Sequence, residues 1–398
     1  MNKNQTKEIK EIKEIFQKQI PDLEKPEMNW VVNLGIALYL ILGLTILFNE
    51  KSKTGKFTVK IDYFLLMMKG THFVVILYFG LILVFGIMMK INLQIRSITF
   101  YIVTQLLFIV FNFFVIHFDP NQFGLASKAI IATHSTLLSM KYHSFTIFYL
   151  RSSVSKKENY LWRFLFAPLL VYSDKTLKFQ PKRREFSRII SQIVLGIMCM
   201  NLMYLIWVFQ FLPIFEQANQ CKNSLFICIV ETWQKLIPFS CLMWFPMFYF
   251  LFHCWLNLKA ELVGFLDLNS FYLDWWKSID HGQFWIKWNA YINNWLKEHL
   301  YKDFRRVGFP RFWSLFLTFF ISGLLHDFII FCISGKFHPW ITLILVLQIP
   351  LVSLNIFFPR FTRKFGNLFV WISIFIGISL VLTAYHFSQN SQEMNFNF

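Results

Sequence analysis

A histidine followed directly by an aspartate, His326-Asp327, interrupts an otherwise apolar run from Phe312 to Ser334, and Ser322 lies one helical turn earlier. At 1.5 Å rise per residue, His326 sits about 20 Å along a helix starting at Phe312, well inside a bilayer if that run spans one. Ionisable groups are costly at such depth and by default mark function. A neutral histidine bonding a neighbouring helix is the structural alternative. The chemistry on offer is general-base catalysis: imidazole titrates near neutral pH, and burial keeps the ring neutral and able to take a proton from an alcohol.

The other histidines point to less. His72, His117, His338 and His386 fall near span ends, where interfacial solvation accounts for them, and His134 and His143 read as packing residues. His253, beside Cys254, lies within a span and reads as structural. A second polar feature is Asn289, flanked by Trp288 and followed by Asn293, Asn294 and Trp295. An asparagine amide can donate to a carbonyl oxygen on which negative charge develops. The dense run Phe271-Tyr272-Leu273-Asp274-Trp275-Trp276 reads from composition alone as an interfacial anchor.

The elements that must position these residues are membrane helices. Apolar residues make up 56% of the 398, charged residues 15%, and Phe alone 50 positions. A soluble domain carries about 25% charged residues. Runs long enough to span lie at 29–49, 72–90, 98–117, 124–145, 187–212, 224–256, 312–334, 339–358 and 366–387. An all-α polytopic membrane protein with about nine transmembrane helices is expected. The fourth run is the most polar, holding Lys128, His134 and Lys141, and the sixth is long enough to tilt or break near Pro238 and Pro246.

Of the 39 Lys and Arg, thirty fall in the alternate segments that include the N-terminal tail, and nine in the others. The positive-inside rule then puts the N-terminus in the cytoplasm and the C-terminus in the lumen. Anionic headgroups facing those loops account for the net charge of +17, and nucleic acid is not an expected partner. The domains expected are a cytoplasmic tail 1–28, a membrane domain 29–387 with a cytoplasmic loop 257–311, and a luminal tail 388–398. In the tail, Ile9, Ile12, Phe16 and Ile20 share one face of a short amphipathic helix. The loop is too aromatic for disorder and is expected to fold against the membrane. The six cysteines show no C-x-x-C pair, so neither a metal site nor a disulfide framework is expected.

These residues carry a resemblance. Phe271 to Trp276 matches the FYxDWWN element of the membrane-bound O-acyltransferase superfamily, with Lys277 at its last position. His253-Cys254-Trp255-Leu256-Asn257 with Ala260-Glu261-Leu262, and Phe164 to Pro168 (FLFAP), resemble further elements of its branch of sterol and type-one diacylglycerol O-acyltransferases. Phe284 to Asn289 matches the aromatic stretch ending in asparagine, and Ser322 to Asp327 the SAxxHE element, with Asp in place of Glu. The resemblance covers about residues 30 to 387 and implies nine transmembrane helices.

It also implies an endoplasmic reticulum enzyme that transfers an acyl group from acyl-CoA, a co-substrate, to a lipid alcohol. No cofactor or metal is involved, and a homodimer or homotetramer is implied. His326 would be the catalytic base and Asn289 would support the thioester. Phe271, Tyr272, Asp274, Trp275, Trp276, Trp285, Trp288 and Ser322 would bind substrate, and Lys297, Lys302, Arg305 and Arg306 would meet CoA phosphates. Departures fall at Tyr291 to Trp295 and at Gly377-Ile378-Ser379, and Asp327 shortens a possible contact beside the base by one methylene. Tyr301-Lys302-Asp303-Phe304 leans toward sterol enzymes; Gln348 to Leu351 and Gly366-Asn367 lean toward diacylglycerol enzymes, the favoured acceptor class. A proton-coupled transporter and a catalytically inactive family member are the alternatives.

Overall fold

The computed structural model describes residues 61–117, 122–151, 160–173, 185–264 and 271–390, with isolated positions between 37 and 55. The expected first span and both chain tails, with the amphipathic segment, lie outside these residues apart from those isolated positions. Among the described residues the chain is helical throughout, with no strand. The helices are α1 (Ile61–Met67), α2 (Thr71–Ile95), α3 (Ile98–His117), α4 (Leu125–Arg151) and α5 (Leu161–Phe166). Then come α6 (Phe186–Asn219), α7 (Leu225–Val263), α8 (His281–Lys287) and α9 (Ala290–Leu296, continuing through Lys302–Val307). The last three are α10 (Arg311–Ser334), α11 (Trp340–Phe357) and α12 (Pro359–Asn390).

Five helical runs are long and apolar enough to cross a membrane: Asp62–Ile95, Phe186–Asn219, Leu225–Val263, Arg311–Ser334 and Pro359–Gln389. The central apolar parts of α3 and α11 are shorter. The polar fourth run, α4, has a different surrounding. Ser127, His134, Ser135, Lys141, Ser144 and Thr146 are all buried along it, and α2, α3 and α10 pack around it. A helix enclosed by protein rather than lipid can carry polar residues, provided each finds a partner.

Lys141 finds three. Its ammonium donates to the carbonyls of Phe164 at 2.7 Å, Leu165 at 2.9 Å and Ala167 at 2.6 Å. These are the carbonyls at the C-terminal end of α5, which a helix leaves without internal donors and with partial negative charge. The FLFAP segment is therefore folded onto a buried cation. Beside it, Ser144 accepts from the Tyr172 backbone N–H at 2.8 Å and bonds His299 of α9 at 2.8 Å.

Pro238 and Pro246 do not break α7. The helix runs through both and widens into a π turn, Tyr249–Trp255, starting three residues after Pro246. Similar turns occur at Trp207–Phe211 in α6 and Lys297–Tyr301 in α9. Such widenings rotate the following residues out of α register. In addition, α7 extends seven residues into the expected loop, to Val263, and the short stretch expected between the last two spans is already helical, because α12 starts at Pro359.

The cysteine expectation is corrected. Cys221, two residues beyond α6, and Cys228, in the first turn of α7, form a disulfide. A seven-residue separation matches no framework pattern, so the pair was not legible until the turn between α6 and α7 brought the two together.

Replacing Lys141 with Met should remove the ammonium from three buried carbonyls, of which that of Ala167 keeps a second donor, the Leu169 N–H at 2.8 Å. The change should destabilise the detergent-solubilised protein by about 3 kcal/mol. An unchanged thermal unfolding midpoint would show that α5 does not depend on that ammonium.

Candidate active site

The site is built on α10. Gly323 lets this helix approach α11 closely, since a Cβ there would lie 2.5 Å from Thr342 Cα. Four residues on, the buried Asp327 carboxylate meets the start of α11. It accepts from the backbone N–H groups of Ile341 (3.0 Å) and Thr342 (2.9 Å) and from the Thr342 hydroxyl (2.5 Å). The Tyr385 hydroxyl of α12 donates to it at 2.6 Å. A carboxylate at a helix N-terminus satisfies orphan donors and complements the helix dipole.

His326 points elsewhere. One residue along a helix turns a side chain by about 100°, so His326 and Asp327 do not face each other, and among the described residues they make no bond. The possible contact between Asp327 and the histidine is thus not made; the carboxylate holds three helices together instead. The His326 ring bonds its own helix: Nδ1 lies 2.7 Å from the Ser322 carbonyl oxygen. A carbonyl can only accept, so Nδ1 carries the proton. In the neutral ring Nε2 then holds the lone pair, and it has no partner among the described residues. The side chain is exposed rather than packed. Ser322 contributes its main chain to this arrangement and is buried.

The aromatic loop reaches the same face. Trp285 of α8 packs edge-on against Phe319 at 5.7 Å. Phe319 precedes His326 by two helical turns, about 10 Å along the same side of α10. Trp288 stacks on Trp244 of α7 at 4.8 Å. Trp285 Nε1 and Trp244 Nε1 are buried donors with no acceptor among the described residues. Asn289 follows directly. Its side-chain oxygen caps α9 by accepting from the Ile292 N–H at 3.0 Å, which commits the oxygen and leaves the amide nitrogen as the donor.

The run Phe271 to Trp276 divides into two sets. Phe271, Tyr272 and Trp275 are buried among Phe248, Phe252 and Phe284. Tyr272 is fixed by His253, its hydroxyl 2.7 Å from Nδ1, and burial pushes its pKa up. The π turn of α7 is what presents His253 to this loop, so two sequence elements 19 residues apart form one contact. Asp274, paired with Lys277 at 2.8 Å, and Trp276 are only half-buried.

Sequence reasoning missed the residues that hold this loop down. Asn367 donates to the Trp276 and Ser278 carbonyls at 2.8 and 2.9 Å. Asp280 caps α8 through the Gln283 N–H at 2.8 Å and accepts from Asn355 at 3.2 Å. Gly366 packs so closely that a Cβ would lie 1.8 Å from the Ile279 carbonyl. The resemblance picked out Gly366-Asn367 for acceptor class alone, and Asn355 showed only as a polar residue in an apolar run.

Of the basic residues expected at the loop, Arg306 pairs with Asp303 at 2.6 Å and Lys302 with Glu298, while Arg305 donates to the Phe309 carbonyl at 2.6 Å. Lys297 is exposed. His299 is buried, and that burial, reinforced by neighbouring His143, pushes its pKa down to about 4 against an opposing pull from Asp303.

The sequence model of the MBOAT, membrane-bound O-acyltransferase family, matches residues 59–387. The chain belongs to that family. It is 29% identical to sterol O-acyltransferase 1 of Mus musculus over 304 residues, 71% of this chain and 55% of that protein. It is 31% identical to diacylglycerol O-acyltransferase 1 of Chlorocebus aethiops over 228 residues, 56% and 45% of the two chains. To diacylglycerol O-acyltransferase 1 of Arabidopsis thaliana it is 32% identical over 177 residues, 44% and 34%. The chain spans about half the length of the first of these relatives and less of the other two.

Two measurements check the geometry. Asp327→Ala should destabilise the protein by about 3 kcal/mol, because it strands buried donors, while His326→Ala should cost under about 1 kcal/mol. Similar unfolding midpoints for the two variants would contradict these separate roles. For His299, the folded pKa lies below the usual value near 6.5, so its contribution to stability is complete above that value and is lost as pH falls toward about 4. His299→Asn should flatten this acid limb of the unfolding profile.

Proposed function

We propose that the chain is an acyl-CoA-dependent O-acyltransferase of the endoplasmic reticulum membrane. It esterifies a membrane lipid alcohol to a neutral lipid, with diacylglycerol the favoured acceptor. The observation that carries this reading is His326, at membrane depth with Nδ1–H held by the Ser322 carbonyl and Nε2 unpartnered. The family match supports the reaction class.

In the reaction, the acceptor hydroxyl oxygen attacks the thioester carbonyl carbon while Nε2 of His326 takes the hydroxyl proton. The carbon–sulfur bond then breaks, and the proton passes from the imidazolium to the departing CoA thiolate. The histidine ends neutral, and no acyl-enzyme forms. Asn289 Nδ2 and the acceptor-less Trp285 Nε1 supply donors on the loop side, where the thioester oxygen gains charge. Asp274 and Trp276 line the approach for acyl-CoA. CoA phosphates meet Lys297 and the rearranged Lys302, Arg305 and Arg306. The Cys221–Cys228 disulfide supports placing the α6–α7 turn in the lumen, since disulfides persist in oxidising compartments. That is the side expected from the charge distribution, and it leaves the loop facing cytoplasmic acyl-CoA. Assembly as a homodimer or homotetramer is part of the same proposal.

A sterol acceptor is the second reading, favoured by the longer match to sterol O-acyltransferase 1. A transporter reading has no support in the family match.

His326→Ala should lower ester formation from labelled acyl-CoA by at least about a hundredfold with the unfolding midpoint retained. Wild-type activity in that variant would overturn the assignment of the base. Expression in cells lacking their own acyltransferases should yield triacylglycerol; steryl ester alone would select the second reading.

A further inference from the structure

Most charge inside the bundle has a partner. Lys141 donates to three carbonyls, Glu261 faces Arg188 at 3.6 Å, and Asp327 accepts from α11 and α12. Lys259, on the last turns of α7, is the exception. It makes no hydrogen bond and no ion pair among the described residues; its ammonium lies 5.9 Å from the centre of the Tyr78 ring and 6.0 Å from that of Trp255. Those distances are at the outer limit of a cation–π contact and compensate little of the lost hydration.

The surroundings of Lys259 indicate what faces it. The side chain is walled in by protein on nearly every side and yet keeps part of its surface accessible. A charged group in that setting is held by protein and still open to an approaching partner. Tyr291 of α9 shows the same combination, and it lies within electrostatic reach of Tyr78. His134 of α4 stacks on Tyr78 at 3.8 Å, is 9% exposed, and has a buried Nε2 with no partner. His134 and Lys141 both lie within electrostatic reach of Lys259, so the local potential is positive, with no carboxylate among these groups.

We infer that Lys259, His134, Tyr78 and Tyr291, drawn from four separate helices, form an interior site for an anionic group, a phosphate or a carboxylate. A lone ammonium is expensive to enclose, and a ligand that brings the missing charge offsets that cost. The hydroxyls of Tyr78 and Tyr291 add hydrogen bonds that a phosphate oxygen can accept, and the unpartnered His134 Nε2 can accept from a protonated phosphate or carboxyl oxygen. Two sources offer this chemistry: the phosphates of CoA, and the headgroup of an anionic lipid entering from the bilayer. The site rests on the proposed acyltransferase function only for the choice of CoA as a probe.

The experiment measures binding without turnover, using the purified full chain in phosphatidylcholine nanodiscs. The probes are CoA and, in separate discs, phosphatidic acid; Trp255, beside Lys259, contributes an intrinsic fluorescence signal. Lys259→Met keeps most of the side-chain length and removes the charge, and should weaken binding of at least one probe by about tenfold or more. Lys259→Arg should restore it to within about threefold, which a purely packing role would not produce. Loss confined to CoA assigns the site to the co-substrate, and loss confined to phosphatidic acid assigns it to a lipid headgroup. Binding of both probes within twofold of the unsubstituted protein, or no binding of either by that protein, overturns the site. If Lys259→Met does not yield a monodisperse protein, Lys259→Gln serves the same comparison. An unsubstituted protein that forms no ester, with Lys259→Met still losing a probe, would sink the acyltransferase reading and leave the site standing.

Discussion

The seating of α11 and α12 on a single carboxylate is the contact on which the site depends most. Asp327 takes the two leading amides of α11 and a hydroxyl of α12 in a place where water is not available to replace them. Each of those donors would otherwise be stranded in a low-dielectric interior. Because the carboxylate sits one residue after His326, the same interaction that joins the helices fixes the rotation of α10 about its own axis. That rotation decides which way the imidazole faces. Gly323 sets the separation at which the seating is possible, so one small residue and one acid define the frame for His326.

A second frame meets the first at the loop. Tyr272 is bound by His253, the following backbone is held by Asn367 and the close approach of Gly366, and the Asp280 carboxylate by Asn355. A segment rich in Trp and Tyr is thereby fixed at many points, and Trp285 is pressed onto the face of α10 that carries His326. The orphan indole donors of Trp285 and Trp244 are then held in place rather than free to find acceptors of their own.

Much of this was legible in the sequence, and the parts that were not share a cause. Apolar windows placed seven of the nine runs within a few residues of helices that the structure describes, because a bilayer imposes a minimum length that composition reveals. The polar α4 was also located, though composition could not show that protein rather than lipid surrounds it. Reading His326 and Asp327 as a pair failed because adjacency in sequence is separation on a helix. The disulfide, the π turn that aims His253, and the isolation of Lys259 depend on contacts between distant segments or on a local change of helical pitch. Neither leaves a periodic trace. The exposure of His326 and the burial of Ser322 on the same helix were likewise not legible.

The packing of Gly366 and Asn367 against residues 276–279 has a consequence for how the chain is made. The loop emerges from synthesis about ninety residues before the part of α12 that must clasp it. Until that last helix has been inserted, the Trp276 and Ser278 carbonyls lack the Asn367 amide, and the aromatic segment is held from Tyr272 but not at this end. The loop is therefore fastened last from the C-terminal end of the chain, as a late step of biogenesis. A chain shortened before α12 would still place most of its helices and the Tyr272 contact, but it would leave residues 276–279 unclasped.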